Sequence, residues 1–95
     1  MMYMKELGFD EEIINLMCEN IPAFAVEKLN ENEEVVTNNI KYLLELGVTN
    51  YVEAFVKFYN MFLIDNETFD EIFSKYDRED LVAKLEKNVA IMEYL

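Results

Sequence analysis

Chemistry at a protein site needs a group that moves a proton, attacks, holds a metal or cradles a phosphate. This sequence is poor in all four. It contains no histidine, the commonest general base. Ser-His and Cys-His nucleophile pairs and the Glu-x-x-His sites of di-iron bundles therefore cannot be assembled from it. The single thiol, Cys18, stands between Met17 and Glu19 near the expected end of a helix, where negative charge disfavours the reactive thiolate. It reads as a quiet, partly buried cysteine. The only two glycines, Gly8 and Gly47, are isolated and cannot make a phosphate-binding loop.

Two carboxylate clusters remain, Glu31 with Glu33 and Glu34, and Asp77 with Glu79 and Asp80. Hard cations take such ligands, but both clusters fall where helices are expected to begin, and the helix dipole accounts for acids there. The stretch from Asp65 faintly matches a calcium loop. Its sixth position is Asp70 where glycine is needed, and its twelfth is Tyr76 where a bidentate Glu is needed. An aromatic row, Phe55, Phe58, Tyr59 and Phe62, is of the kind that stacks bases, yet Lys57 is the only cation beside it, whereas single-strand binders pair aromatics with cations. We expect no enzyme, no metal and no cofactor.

These residues must be carried by helices, because no strand-like alternation of useful length occurs. Asp10 is expected to cap a first helix with Ile13, Leu16 and Met17 on its apolar face; it must stop before Pro22. A short second helix, about 22–29, accepts that proline in its first turn. Asn32 should cap a third, with Val36, Ile40 and Leu43 inward and Gly47 as its left-handed end. Thr49 should cap a fourth. In it, Tyr51, Phe55, Phe58 and Phe62 form one apolar stripe, and Val52, Val56, Tyr59 and Leu63 form another. A helix apolar on two faces is normally central. A fifth helix follows Asn66 with Phe69, Ile72, Phe73 and Tyr76 inward. Asp77 and Asp80 mark the start of a sixth, carrying Leu81, Leu85, Val89 and Met92. The expectation is an all-α domain over 1–95 with six helices.

The chain also repeats itself. Tyr3-Met4-Lys5-Glu6-Leu7-Gly8 recurs as Tyr42-Leu43-Leu44-Glu45-Leu46-Gly47, an offset of 39 residues. Downstream, Phe9 matches Val48, Asp10 matches Thr49, Ile13 matches Val52, Leu16 matches Phe55 and Met17 matches Val56. Caps and core positions recur together, so two tandem units are expected, about 3–41 and 42–95, as in a short solenoid-like stack.

The unit resembles a repeat of the mitochondrial transcription termination factor (mTERF) family, in which a Leu-Gly pair opens a helix and a proline follows fourteen residues after the glycine. Leu7-Gly8, Pro22, Phe24 and Val26 fit; in the second unit the proline position is Met61. The resemblance implies a stack of helices. In that family the stack has a basic concave side that holds nucleic acid, which here would require Lys28, Lys41, Lys57, Lys75, Arg78, Lys84 and Lys87 on one side.

Charge argues against that use. Twenty acids against eight basic residues give a net charge of −12; nucleic-acid binding draws on released counterions and needs many Lys and Arg. Anionic membranes are disfavoured for the same reason, and no stretch approaches the roughly 20 apolar residues of a span. With one cysteine and no basic-apolar leader at the N-terminus, a cytoplasmic location is expected. Ten asparagines and a Lys-over-Arg bias suggest an AT-rich genome, that of a low-GC bacterium or its phage.

A chain of this length buries only about 60–65% of its unfolded surface, and its apolar content exceeds what a two-unit stack needs to bury. We therefore expect a non-catalytic, acidic protein-protein interaction module, binding a partner or a second copy through a C-terminal face. The expected contact residues are Phe58, Phe62, Phe69 and Phe73, rimmed by Glu31, Glu33, Glu34, Asp77, Glu79 and Asp80. The alternative is an acidic mimic of nucleic acid that inhibits a DNA-binding protein, which needs those carboxylates on one face.

Overall fold

Asp10 accepts a hydrogen bond from the Glu12 amide at 3.1 Å, Asp65 from the Thr68 amide at 2.9 Å and Asp77 from the Asp80 amide at 3.1 Å. Each satisfies an orphan donor of a first turn, and these three caps set where the first, fifth and sixth α-helices begin. The computed structural model describes residues 1–95. It contains α1 (Glu11–Asn20), α2 (Ala23–Glu31), α3 (Glu33–Leu46), α4 (Tyr51–Phe58), α5 (Asn66–Ser74) and α6 (Arg78–Lys87). Three 3-10 helices, η1 (Met2–Leu7), η2 (Tyr59–Leu63) and η3 (Val89–Tyr94), complete it. The all-α class expected from the sequence is what the chain adopts, with no strand.

Gly8 and Gly47 both take the left-handed conformation, at φ 91° and 102°, and end η1 and α3 in the same way. Met4 and Leu43 are buried at matching positions, as are Phe9 and Val48. Past that point the match in burial ends: α1 buries Ile14 and Met17, whereas α4 buries Ala54 and Phe55. The two segments share a helix-ending turn and then present different faces to the core.

The central element is α3, which touches η1, α2, α4, η2 and α5. α4 has neighbours of its own in α3, η2 and η3, but the expectation that it runs unbroken through Leu63 is corrected. α4 stops at Phe58, where φ −130° and ψ 40° break the helix, and the chain tightens into η2. In an unbroken helix Phe55 and Phe62 would be about 10 Å apart along the axis; here their ring centroids are 5.0 Å apart. The break folds the aromatic stripe back on itself, so Phe62 packs on Phe69, and Phe69 on Phe73, with centroids at 5.5 and 4.7 Å.

A buried asparagine holds this turn in place. Asn39 Nδ2 donates to the carbonyls of Phe62 at 3.0 Å and Ile64 at 2.7 Å, while its Oδ1 accepts from Asn66 at 2.8 Å. Asn66 also donates to the Val35 carbonyl at 3.0 Å. A polar side chain is tolerated inside a core when its hydrogen-bonding groups are occupied, and these bonds fasten η2 and the start of α5 onto α3.

Other caps differ from expectation. Asn32 is the N-cap residue of α3, as expected, but its side chain makes no capping bond; its Nδ2 donates back to the Lys28 carbonyl at 2.8 Å, closing α2. Asn50 rather than Thr49 precedes α4, and its Nδ2 donates to the Leu85 carbonyl at 2.9 Å. The sixth helix ends at Lys87, and Val89 and Met92 reach the core from η3. One continuous core runs from Met4 to Met92 and draws on both sequence units.

Candidate functional site

Of the contact residues expected at the C-terminal end, the acids of the rim are exposed, but most of the aromatic centre is not. Phe62, Phe69 and Phe73 are buried in the α3-centred core, and Phe58 packs against it, partly buried. The docking role expected of Phe62, Phe69 and Phe73 is corrected, because they pack on one another inside the core; Phe58 alone keeps part of its surface.

Phe24 and Tyr94 stand exposed singly, but the one place where large exposed apolar side chains line a groove is between α1 and α4. A groove of about 680 Å³ is lined on one wall by Ile13, Leu16, Met17, Asn20 and Ile21. On the other it is lined by Asn50, Val52, Glu53, Val56 and Lys57. On α1 the lining positions follow i, i+3, i+4 and i+7, one face of a helix. The neighbouring face carries Ile14 into the core, so α1 is apolar over more of its circumference than the core consumes. On α4, Phe55 faces inward, and the second stripe seen in the sequence supplies Val52 and Val56. Leu16 keeps 51% and Val56 38% of its surface exposed; the groove is open to solvent along one side.

The charges around it are arranged asymmetrically. Glu53 and Lys57 close on each other at 3.0 Å, one helical turn apart. α1 carries Glu11, Glu12 and Glu19 and no basic residue. Glu11 pairs with Lys5 at 3.1 Å, while Glu12 and Glu19 are exposed without an ion-pair partner. Both flank Leu16, by i+4 and i+3 spacing.

The acid clusters do not meet at this groove, nor at each other. Glu31, Glu33 and Glu34 lie at the junction of α2 and α3. The Arg78 guanidinium, beside Asp77, donates to the carbonyls of Glu45 at 2.6 Å and Leu46 at 3.0 Å, which holds the second cluster at the opposite end of α3. Fourteen residues of helix separate the two by about 20 Å. No three carboxylate or thiol side chains converge to hold a metal ion. Of the basic residues, Lys5, Lys57 and Lys84 pair with acids and Arg78 is bound to α3.

The groups with displaced pKa values lie away from the groove. Burial, and then the negative charge of Glu33, push the Tyr3 hydroxyl up to about 12; it donates to the Leu29 carbonyl at 2.8 Å. Burial, and then a hydrogen bond with Asp70, raise Tyr42, whose ring packs edge-on to Phe69. The Thr68 amide, and then its hydroxyl, hold Asp65 below the usual carboxylate value. All three are structural fastenings. Cys18, expected to be partly buried, is exposed on α1.

The signal that could have located the groove was present in the repeat. Ile13 aligns with Val52 and Met17 with Val56, and both aligned pairs line the groove from opposite walls. The unaligned member is the informative one: Leu16 is exposed where its counterpart Phe55 is fully buried. Family models, curated proteins and solved structures, searched in turn, give no match to this chain. No helix is long and apolar enough to cross a membrane.

Proposed function

We propose that this chain is a non-catalytic, acidic protein-protein interaction module that receives an amphipathic helix of a partner in the groove between α1 and α4. The observation that carries the reading is the groove itself, in which Ile13, Leu16, Met17 and Ile21 face Val52 and Val56 across a space open to solvent. An amphipathic helix laid into an apolar groove is a recurrent mode of recognition, with anchors at i, i+3, i+4 and i+7. α1 spans ten residues, about 15 Å, which matches three turns of a partner helix. The nucleic-acid mimic has less behind it, because its two carboxylate clusters stand at opposite ends of α3.

Selection from a displayed library of helical peptides tests the reading. Peptides enriched on the wild-type chain should be depleted on a Leu16→Asn, Val56→Asn variant that keeps its helical circular dichroism. Enriched peptides that bind both proteins equally would contradict it, as would a library that yields none.

A further inference from the structure

We infer that the helix received in the groove is cationic, with Lys or Arg flanking its apolar anchors to meet Glu12 and Glu19. This rests on the docking reading above and adds the chemistry of the partner. The groove lining has a single cation, Lys57, and that charge is taken by Glu53 at 3.0 Å. Along the other wall the unpaired charges are Glu12 and Glu19, each a neighbour of Leu16 on the surface of α1. A ligand whose apolar face covers Leu16 must place its flanking residues beside these two carboxylates. Acidic flanks there would repel, neutral ones would leave the field unanswered, and basic ones would form ion pairs across the rim.

The net charge of −12 acts in the same direction. At physiological salt, screening extends over roughly 8 Å, so the nearby surface acids steer a basic segment toward the groove and slow an acidic one. The same charge weighs against a second copy of the chain as occupant. A symmetric contact through this groove would bring Glu12 and Glu19 of both copies to one interface, with no unpaired cation on the lining to offset them.

The test uses three labelled 18-residue helical peptides that share one leucine face and carry Lys, Gln or Glu on the polar face. Fluorescence anisotropy at low and high salt measures their affinity for the intact chain. The Lys peptide should bind roughly tenfold tighter than the Gln peptide, as two rim ion pairs would give. That advantage should shrink at high salt and in a Glu12→Gln, Glu19→Gln variant. All binding should fall away in the Leu16→Asn, Val56→Asn variant. Equal binding of the Lys and Gln peptides, still sensitive to Leu16 and Val56, overturns the cationic inference and leaves the docking reading standing. Failure of every peptide overturns both. Lys-peptide binding that survives loss of Leu16 and Val56 shows attraction to the acidic surface at large, and overturns the inference. So does light scattering that finds a dimer dispersed by the same two substitutions.

Discussion

The α3-centred core and the α1–α4 groove are built from apolar residues at the same helical spacing, yet one is sealed and the other open. In the core, Phe55, Phe62, Phe69 and Phe73 fill space in successive ring contacts, and Asn39 ties down the turn that brings Phe62 back. In the groove the facing residues are Ile13, Leu16, Val52 and Val56, each smaller than phenylalanine, and no side-chain hydrogen bond ties one wall to the other. Apolar periodicity marks a face that avoids water. Side-chain volume, and a hydrogen bond that pulls the chain over, decide whether the fold itself covers that face.

The largest break in this comparison comes from the core. Phe62→Ala should cost about 3–5 kcal/mol in denaturant unfolding, since it opens a cavity between Phe55 and Phe69. Replacing Asn39 by Ala should come next, at about 2–3 kcal/mol, because the Phe62 and Ile64 carbonyls lose their shared donor. Amide exchange should then report faster opening over η2 and the start of α5 than over α1.

The two glycines sharpen the comparison. Both hold positive φ, so Ala at either costs about 1–2 kcal/mol for the left-handed backbone alone. At Gly8, a Cβ would also collide with the Tyr51 hydroxyl, which donates to the Leu7 carbonyl at 2.7 Å. At Gly47 it would meet open space. Thermal unfolding should therefore show Gly8→Ala as the more damaging of the pair. The smallest effect is expected in the groove. Leu16→Asn should change stability by no more than about 0.5–1 kcal/mol, a half-exposed residue being replaced on the solvent side of the groove.

Much of the fold was legible in the residues. The caps at Asp10 and Asp77, the left-handed end at Gly47 and the inward row of α3 follow from local chemistry that tertiary context leaves intact, whereas η1 and its end at Gly8 were not expected. The break at Phe58 was not legible. Residues 51–63 read as one long amphipathic helix, and the contacts that accompany the break, Phe62 on Phe69 and the Asn39 bonds, depend on residues outside that segment. That one error moved the candidate site. With a straight fourth helix, Phe62, Phe69 and Phe73 crowd the C-terminal end as surplus; with the break they fill the core, and the surplus passes to Val52 and Val56. Helix length was equally deceptive in the last segment, where Val89 and Met92 keep the spacing of α6 but reach the core from a 3-10 turn.

The central claim is that the α1–α4 groove is a docking surface and not an imperfectly packed part of the core. Amide chemical-shift mapping of the isotope-labelled chain during titration with the Lys-faced peptide tests it most directly. A docking groove gives saturable shifts confined to Ile13–Ile21 and Asn50–Lys57, with the amides of α3 and α5 unmoved. Shifts centred on Glu31–Glu34 or Asp77–Asp80, or spread through the core amides, would contradict it.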